Sequence, residues 1–528
     1  MRKPRARRER RKAEILKKNS EEKVNRKTEG VRVFEDVKKN AKYISDLMGD
    51  SSDLITRFFT IQYTPDRKAA LIALDGMVDS TTIDQHILKP LMREGEKIET
   101  KIDLWEMTYK SLVEVGENTP TEKMKVLVEA LLSGDVILFI DGYAKGMAID
   151  AKGWKQRGVE DPRSESVVRG SREGFTETLR VDTALIRRRL KDPDLRLKDM
   201  KVGERTKTDV TIMHIEGVAD EKIVKKVQSR IEKIDIDGVL ESGYIEEMIQ
   251  DTNWSPFPVI QNTERPDVVV GHLLEGKVAV VVDGTPNVLI MPAVFAQFYH
   301  SAGDYYEQYM IATFLRLLRL FAFFIALSLP AFYIAFIAFH PDMVPGDLAM
   351  AMAAGRSTVP FPSIVEAVLM EISVEILREA SIRLPGPIGP TIGIVGALVI
   401  GESSVNAGLV SPLMVIVVAL TTISSYANPS YNAAISLRLI RFPMMIAASI
   451  MGLYGIMLFM LLLLLHLIKI RSFGVPYLSP FSPLRLSDVK DSLIRVPWPL
   501  MNKRPVIFRP GDDSREGGTS HGKRRKRQ

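Results

Sequence analysis

Residues 384–412 read LPGPIGPTIGIVGALVIGESSVNAGLVSP, and this stretch determines how the chain divides. It is apolar enough to enter a bilayer, but prolines at 385, 387 and 390 and glycines at 386, 389, 393, 396, 401 and 408 interrupt it. Glycines let a second backbone approach closely, and a carboxylate such as Glu402 is costly in a membrane unless it faces water or a partner. We therefore predict a membrane element that faces protein or a pore rather than lipid alone.

The polar end of this stretch has two interpretations. In the first, the small and polar residues line or gate a pore; they are Gly393, Gly396, Gly401, Glu402, Ser403, Ser404 and Asn406. In the second, residues 403–408 form a short polar turn between two ordinary spans. The turn is the simpler interpretation, and the sequence alone does not decide between them.

Composition excludes several classes of site. The chain has 528 residues, enough for several domains, and no cysteine, which excludes disulfides, thiolate metal sites and cysteine nucleophiles. The N-terminal arm MRKPRARRERRKAEILKK is basic but lacks the apolar core of a secretory signal, so the region before the first span is expected to be cytoplasmic. Much of the net charge of +7 lies in this arm and in the terminal KRRKRQ. These tails favour anionic lipids over nucleic acid, because neither carries base-stacking aromatic residues.

Before residue 300 the chain alternates apolar runs with helical patterns. Three apolar runs end in Asp-Gly, at residues 75–76, 141–142 and 283–284, which is typical of a buried strand followed by a turn. No exact repeat is present. We predict a disordered basic arm at 1–32 and two α/β-type subdomains at 33–155 and 156–305. The division between them is expected in the stretch 152–172, which is rich in Gly, Pro, Arg and Glu.

After residue 305 the sequence predicts an α-helical polytopic membrane domain at 306–470, so the fold class is an α+β cytoplasmic region followed by a membrane domain. Its four spans are expected at about 311–339, 388–403, 409–427 and 444–468, with an amphipathic or re-entrant helix at 363–383 and a cytoplasmic tail with a disordered end at 471–528. Basic residues at both ends of the domain place both ends in the cytoplasm. Arg378, Arg383, Arg438 and Arg441 also indicate cytoplasmic loops, and four simple spans cannot satisfy all of them.

The helix at 363–383 carries candidate vestibule or interface acids: Glu366, Glu371 and Glu375. Glu371, Glu375 and Glu379 recur every four residues and therefore share one helical face. In a single copy this is an amphipathic helix at the membrane surface. If several copies surround an axis, the same carboxylates form a vestibule that attracts cations.

No catalytic, cofactor or metal site is predicted. The sequence contains no Walker A loop, GxGxxG, HExxH or GxSxG, and its seven histidines lack the spacing of metal ligands. The loop RGSREG at 169–174 has the glycines and arginines of a phosphate cradle, but a charged loop is the simpler interpretation. The arginines at 187–189 are most simply a solvated helix face.

The chain resembles the A subunits of GerA-type spore germinant receptors over roughly residues 34–490, and nine phrases carry the resemblance in order. They are ALDGMVD (73–79), HILKPL (86–91), RGSREGFTE (169–177), ALIRRRLK (184–191), ESGYIEEMIQD (241–251), SPFPVIQNTERPD (255–267), LLEGKVAVVVDGTP (273–286), GPIGPTIGIVGALVIG (386–401) and RSFGVPYLSPFSPL (471–484). Glu402 departs from the family pattern, which often has a neutral residue there.

The resemblance implies a non-enzymatic membrane protein of the spore inner membrane. Such an A subunit acts with a transporter-like B subunit, which senses the nutrient, and with a lipoprotein C subunit. It is expected to self-associate into a ring that forms a germinant-gated ion channel and initiates germination. The alternatives are a related A-type accessory channel acting with the dipicolinate-release machinery, or a solute transporter, although transporters usually show two corresponding broken segments.

Overall fold

The apolar runs of the first half build two antiparallel five-stranded sheets with the same strand order. The computed structural model describes residues 30–61, 66–92, 103–153, 167–384 and 388–515, together with residues 28, 162 and 165. The sheet orders are β1-β2-β4-β5-β3 and β6-β7-β9-β10-β8. The strands are β1 Leu54–Ile61, β2 Arg67–Leu74, β3 Asn118–Thr121, β4 Val136–Ile140, β5 Gly146–Ile149, β6 Leu195–Val202, β7 Thr208–Ile215, β8 Gln261–Thr263, β9 Val278–Val282 and β10 Val288–Met291.

Helices cover the sheets and form the cores. The longer ones are α1 Val37–Met48, α2 Met124–Leu131, α3 Leu179–Arg189, α4 Glu221–Ile231, α5 Ser242–Ile249 and α6 Pro266–Leu274. Helices α1 and α2 pack on one face of the first sheet, and short helices between residues 80 and 112 pack on the other. Helices α3 and α6 pack on the second sheet. The central strands β4 and β9 are buried along their whole length, which explains why each reads as a continuous apolar run.

The Asp-Gly pairs do more than turn the chain. The Val37 N–H donates to the Asp141 carboxylate (3.3 Å) and the Leu179 N–H donates to the Asp283 carboxylate (3.0 Å), in both cases across 104 residues. The glycine after each aspartate has a positive φ, of 85° and 87°. Asp141 and Asp283 therefore each cap the first helix of their own sheet region, and the two sheet regions are structural repeats of one another. The predicted fold class is confirmed.

Several sequence predictions fall on residues that the structure does not describe. These are most of the basic arm at 1–32, much of the division at 152–172, the segment 385–387 of the broken stretch and the tail end at 516–528.

Arg187 is not on a solvated face. Its side chain is 1% exposed, and it donates to the Asp53 carboxylate at 2.9 and 3.0 Å, so it links the two repeats. Burial lowers the pKa of Arg187, and the charge of Asp53 offsets only part of this shift. Arg188 and Arg189 both bind Glu173, so the RGSREG loop neutralises its neighbouring arginines and is not an open phosphate cradle.

The segment 497–515 packs beside α6. Arg504 Nε donates to the Leu274 carbonyl at 2.7 Å, and the Phe508 ring centroid lies 4.4 Å from Lys277 Nζ. Arg515 binds the Glu275 carboxylate at 2.8 Å. This part of the predicted tail is therefore folded against the second repeat.

Glu275 gives this attachment a pH dependence. Burial raises the pKa of Glu275, but the hydrogen bond with His272 and the charges of Lys277 and Arg515 outweigh it and hold the pKa well below its usual range. A carboxylate with a depressed pKa stabilises the fold above its unfolded pKa of about 4.3 and loses this contribution as the pH falls through its folded pKa.

We therefore expect Glu275→Gln to lower the free energy of unfolding at pH 7 by about 3 kcal/mol, because it leaves Lys277 and Arg515 without their carboxylate. The difference from the unchanged protein should shrink below about pH 4. Urea unfolding of the detergent-solubilised chain measures both effects. The exposed pair of Glu221 with Lys225 supplies the control, Glu221→Gln, and equal losses in the two variants would refute the assignment.

The second half of the chain is a helical bundle. Its helices are α7 Tyr309–Ala338, α8 Gly346–Gly355, α9 Ser363–Arg383, α10 Ile388–Asn406, α11 Pro412–Tyr426 and α12 Tyr431–Lys469. Within the described ranges, α7 and α12 are long and apolar enough to cross a membrane, and α11 is a shorter apolar helix. A small hairpin of β11 Arg471–Ser472 and β12 Val475–Pro476 follows.

Helix α12 reverses at Gly452, which has the non-helical angles φ 58° and ψ −138°. Ser436 donates to the Pro256 carbonyl, whereas His466 Nε2 lies 3.0 Å from the hydroxyl of the adjacent Ser255. A straight helix would separate positions 436 and 466 by about 45 Å. The prediction of one span at 444–468 therefore needs correction: 431–451 and 453–469 form a helical hairpin, because only glycine readily adopts the turn angles at 452.

Contacts between the helices fix their directions. Glu371 and Ala326 both bind Arg441, and Glu366 and Tyr333 both bind Ser411, so α9 runs antiparallel to α7. Gly393 and Gly396 of α10 face Ser381 and Leu377 of α9, so these two helices run antiparallel. Glu366 contacts the start of α11 and Arg378 contacts its end, so α11 runs parallel to α9. Arg441 and Arg438 contact Glu371 and Glu375, so the segment 431–451 runs antiparallel to α9. With the reversal at Gly452, the segments α7, α9, α10, α11, 431–451 and 453–469 alternate in direction.

This alternation reconciles the basic residues. Arg316 and Arg319 lie near the start of α7, Arg383 ends α9, Arg438 lies two turns into α12, and Arg471 follows its end. With six alternating segments these positions lie toward one end of the bundle. Four simple spans could not bring them together. If each of the six segments crosses the membrane, the number of crossings is even and both ends of the bundle lie on the side that the basic residues favour.

Single-cysteine labelling tests this arrangement, because the chain has no cysteine of its own. We expect Ala427→Cys and Arg471→Cys, on either side of α12, to react with a membrane-impermeant maleimide from the same face of sealed vesicles. Asp342→Cys, in the connection after α7, should react from the opposite face. Labelling of positions 427 and 471 from opposite faces would show that α12 crosses only once.

Candidate functional site

The glycines of α10 mediate contacts between helices. A Cβ added to Gly396 would lie 2.7 Å from Leu377 Cδ2, and one added to Gly393 would lie 3.0 Å from the Ser381 hydroxyl, so both face α9. Gly401 is buried, and its added Cβ would lie 3.6 Å from Val415 of α11. The three candidate pore glycines therefore allow α10 to approach its neighbours closely within one chain.

The polar residues of α10 behave differently. Glu402, Ser403 and Asn406 are exposed on the last turns of the helix, and Ser404 is half-buried. The helix continues to Asn406, and a turn through Gly408, with φ 65°, leads to α11. The turn between α10 and α11 is therefore shorter than the predicted turn at 403–408. The Glu402 carboxylate lies within the helix and is exposed.

Glu366, the first acid of α9, is buried. It accepts hydrogen bonds from the Ser411 N–H (2.5 Å) and the Ser411 hydroxyl, and Arg356 Nε lies 3.5 Å away. The Tyr333 hydroxyl lies 2.8 Å from the same serine oxygen. Glu366 therefore fixes the start of α11 against α9 and α7.

Glu371, about one turn further along α9, pairs with Arg441 of α12. Both side chains are only 1% exposed. Arg441 Nε also donates to the Ala326 carbonyl of α7 at 2.7 Å, so one guanidinium joins three helices. Truncating one partner of such a pair leaves an uncompensated buried charge, which costs about 3–5 kcal/mol.

Glu375, the third acid, is partly exposed and binds two arginines. Arg378 Nη1 donates to its oxygens at 2.8 and 2.7 Å, and Arg438 Nη1 lies 3.4 Å from it. Glu379, a further turn along, is exposed and pairs with Arg383 at 2.5 Å. The acids of α9 therefore grade from buried to exposed along the helix.

This gradient bears directly on the predicted vestibule. In the single chain, Glu366 and Glu371 point at neighbouring helices, and a vestibule of Glu366, Glu371 and Glu375 around a common axis stays a prediction. Sequence analysis missed the buried partners Ser411 and Arg441. The available signal was the reversed order of acids on α9 and arginines on α12, which suits antiparallel helices.

We expect Glu371→Gln and Arg441→Gln each to lower the free energy of unfolding of the detergent-solubilised protein by about 3–5 kcal/mol, because each strands one buried charge. The double variant Glu371→Leu/Arg441→Met should lose less than the sum of the two single changes. Glu379→Gln, on the same helix, is the matched control and should cost less than about 1 kcal/mol. Thermal unfolding would contradict the assignment if all single variants behaved alike.

Comparison with known proteins gives one consistent result. A family model described as Bacillus/Clostridium GerA spore germination protein matches residues 42–507. Spore germination protein KA of Bacillus subtilis (strain 168) is 45% identical over 91% of this chain and 88% of its own length. From the same organism, the uncharacterized membrane protein YfkQ is 44% identical over 90% and 92%, and spore germination protein B1 is 38% identical over 92% and 100%.

A solved structure is also similar. The crystal structure of the N-terminal domain of the A subunit of the Bacillus megaterium spore germinant receptor GerK3 is 37% identical, and the match covers 50% of this chain and 98% of that one, with a TM-score of 0.41.

Proposed function

The chain belongs to the Bacillus/Clostridium GerA family of spore germination proteins, and we propose that it acts as the A subunit of a nutrient germinant receptor in the spore inner membrane. We further propose that several copies surround a hydrated path and form a germinant-gated ion channel. The observation that carries this proposal is the exposed Glu402 on the apolar helix α10. Its partners in the receptor would be a transporter-like B subunit and a lipoprotein C subunit.

The energetics of Glu402 support a shared water-filled path. A carboxylate that faced acyl chains would carry a large desolvation cost, and such groups usually face a bundle interior or a cavity. Glu402 is the only charged residue of α10, and Ser403 and Asn406 beside it are also exposed. Copies arranged around an axis would direct these side chains toward common water, where a ring of carboxylates attracts cations.

Gating requires two states with different affinities for the trigger. A nutrient that bound both states equally would change nothing, so the sensing subunit must prefer the open arrangement. Helices α7, α9, α11 and α12 are joined by buried ion pairs and hydrogen bonds, whereas α10 packs through glycines. Motion of α10 against α9 and α11 therefore disturbs fewer buried charges than motion of α7, α9 or the 431–451 segment would.

Single-channel recording of the purified receptor tests the proposal. We expect Glu402→Gln to reduce cation conductance several-fold and Glu402→Lys to lower the cation preference further, because a ring of positive charge repels cations. Ser403→Phe should narrow the same path and slow nutrient-triggered ion release from spores. Asp347→Asn removes an exposed acid of α8 and should leave conductance unchanged.

Two negative outcomes would have different consequences. If both Glu402 variants and Ser403→Phe conducted like the unchanged receptor, α10 would not line the path. If no preparation conducted ions, the channel proposal itself would fail, while membership of the family would be unaffected.

A further inference from the structure

Two arginines near one end of the helical bundle share a single carboxylate. Arg378 of α9 is 8% exposed and Arg438 of α12 is 9% exposed, and both bind Glu375. Arg378 Nη1 donates to both carboxylate oxygens of Glu375, whereas Arg438 Nη1 lies at the longer distance of 3.4 Å. Glu375 is therefore largely committed to Arg378.

The neighbouring acids do not supply the missing charge. Glu371 is held by Arg441, and Glu379 is held by Arg383. Within the described part of the chain this leaves one surplus positive charge among well-buried groups. In addition, Arg378 Nη2 is buried without a hydrogen-bond acceptor there. A buried charged donor without an acceptor is costly.

Two exposed tyrosines flank these arginines. Arg378 Nε donates to the Tyr426 hydroxyl at 3.1 Å, and its guanidinium carbon lies 5.1 Å from the Tyr426 ring centroid. The Arg438 guanidinium carbon lies 5.8 Å from the Tyr431 ring centroid. Tyr426 is 66% exposed and Tyr431 is 54% exposed. Tyrosines at the ends of membrane helices typically lie at the level of the lipid head groups.

The surface beside the tyrosines suits acyl chains. Ile435 and Leu439 follow Tyr431 at helical spacing and are 43% and 60% exposed, and Ile423, one turn before Tyr426, is 67% exposed. The surface around Arg378 and Arg438 therefore presents guanidinium groups at one end and exposed aliphatic side chains along the helices. A free anion would use only the first of these features, whereas a lipid would use both.

We propose that Arg378 and Arg438 bind the phosphodiester of an anionic lipid head group where α9, α11 and the start of α12 meet. Guanidinium groups match phosphate oxygens in charge and in paired donor geometry. Basic pockets between membrane helices on the cytoplasmic side are a recurring type of lipid head-group site. The phosphate balances the surplus charge, and the acyl chains cover Ile423, Ile435 and Leu439.

This site joins the bilayer to the buried pairs of the bundle. Arg438 lies three residues before Arg441, which holds Glu371 and the Ala326 carbonyl. A bound phosphodiester would restrain α9, α11 and α12 at the same depth. The site does not depend on channel formation, because all of its residues belong to one chain.

The test uses thermal unfolding of the purified full chain in neutral detergent, titrated with phosphatidylglycerol, phosphatidylcholine or inorganic phosphate. We expect phosphatidylglycerol to raise the unfolding temperature saturably and phosphatidylcholine to leave it nearly unchanged. Arg438→Gln should weaken the phosphatidylglycerol effect at least tenfold in concentration, and Arg438→Lys by a smaller factor. The ion pair between Glu375 and Arg378 remains in these variants, so we expect them to fold. Size-exclusion profiles like that of the unchanged protein would confirm this.

The matched control is Arg383→Gln, which removes an exposed arginine from the same helix. It should shift the phosphatidylglycerol titration by less than twofold. Equal responses to both lipids, or equal weakening by the Arg383 and Arg438 variants, would overturn the proposal. Stabilisation by inorganic phosphate equal to that by the lipid would refute the lipid as occupant and assign the arginines to a free anion.

Discussion

The ion pair between Glu371 and Arg441 is the contact on which the bundle depends. Both groups lie in an apolar interior, where neither charge is tolerable alone. Arg441 also binds the Ala326 carbonyl, so the pair joins α9, α12 and α7 at one depth. Hydrophobic contact between membrane helices permits many registers, since lipid tails are as apolar as leucine. A buried ion pair of this kind is satisfied in only one register of the helices.

The high cost of an unpaired buried charge also distinguishes charged residues that have partners within the chain from those that do not. Glu366 and Glu371 are matched by donors from the same chain, and Glu379 has its own surface partner. Within the described residues, two charged features of the bundle lack a full set of partners: Glu402, an exposed carboxylate on α10, and the pair Arg378 and Arg438, with one carboxylate between them. Because unmatched charge is expensive in this environment, we propose that water, a second copy or a ligand from outside the single chain completes these two features.

Part of the sheet region could be predicted from its sequence, because β2, β4 and β9 are apolar runs that each end in Asp-Gly, whereas the edge strand β6 mixes apolar with charged residues. The capping role of Asp141 and Asp283 could not, since it joins positions 104 residues apart. In the membrane region, apolar runs located helices but concealed their directions. The reversal at Gly452 leaves no polar break in the run, and a buried arginine such as Arg441 resembles a loop marker until its partner is known. Which charged residues pair depends on how the helices pack, and the composition of each segment does not show it.

The distribution of these contacts also indicates which element can move. Helices α7, α9, α11 and α12 are held by directional bonds whose loss strands a charge or a buried donor. Helix α10 carries no basic residue, and its one acid faces outward. At Gly393, Gly396 and Gly401, α10 approaches α9 and α11 closely, and van der Waals packing contributes to these contacts. Elements with few buried polar contacts open at lower free-energy cost than those around them. The helix that carries Glu402 is therefore less restrained by buried charge than α7, α9 or the 431–451 segment, which is consistent with the gating role proposed for it.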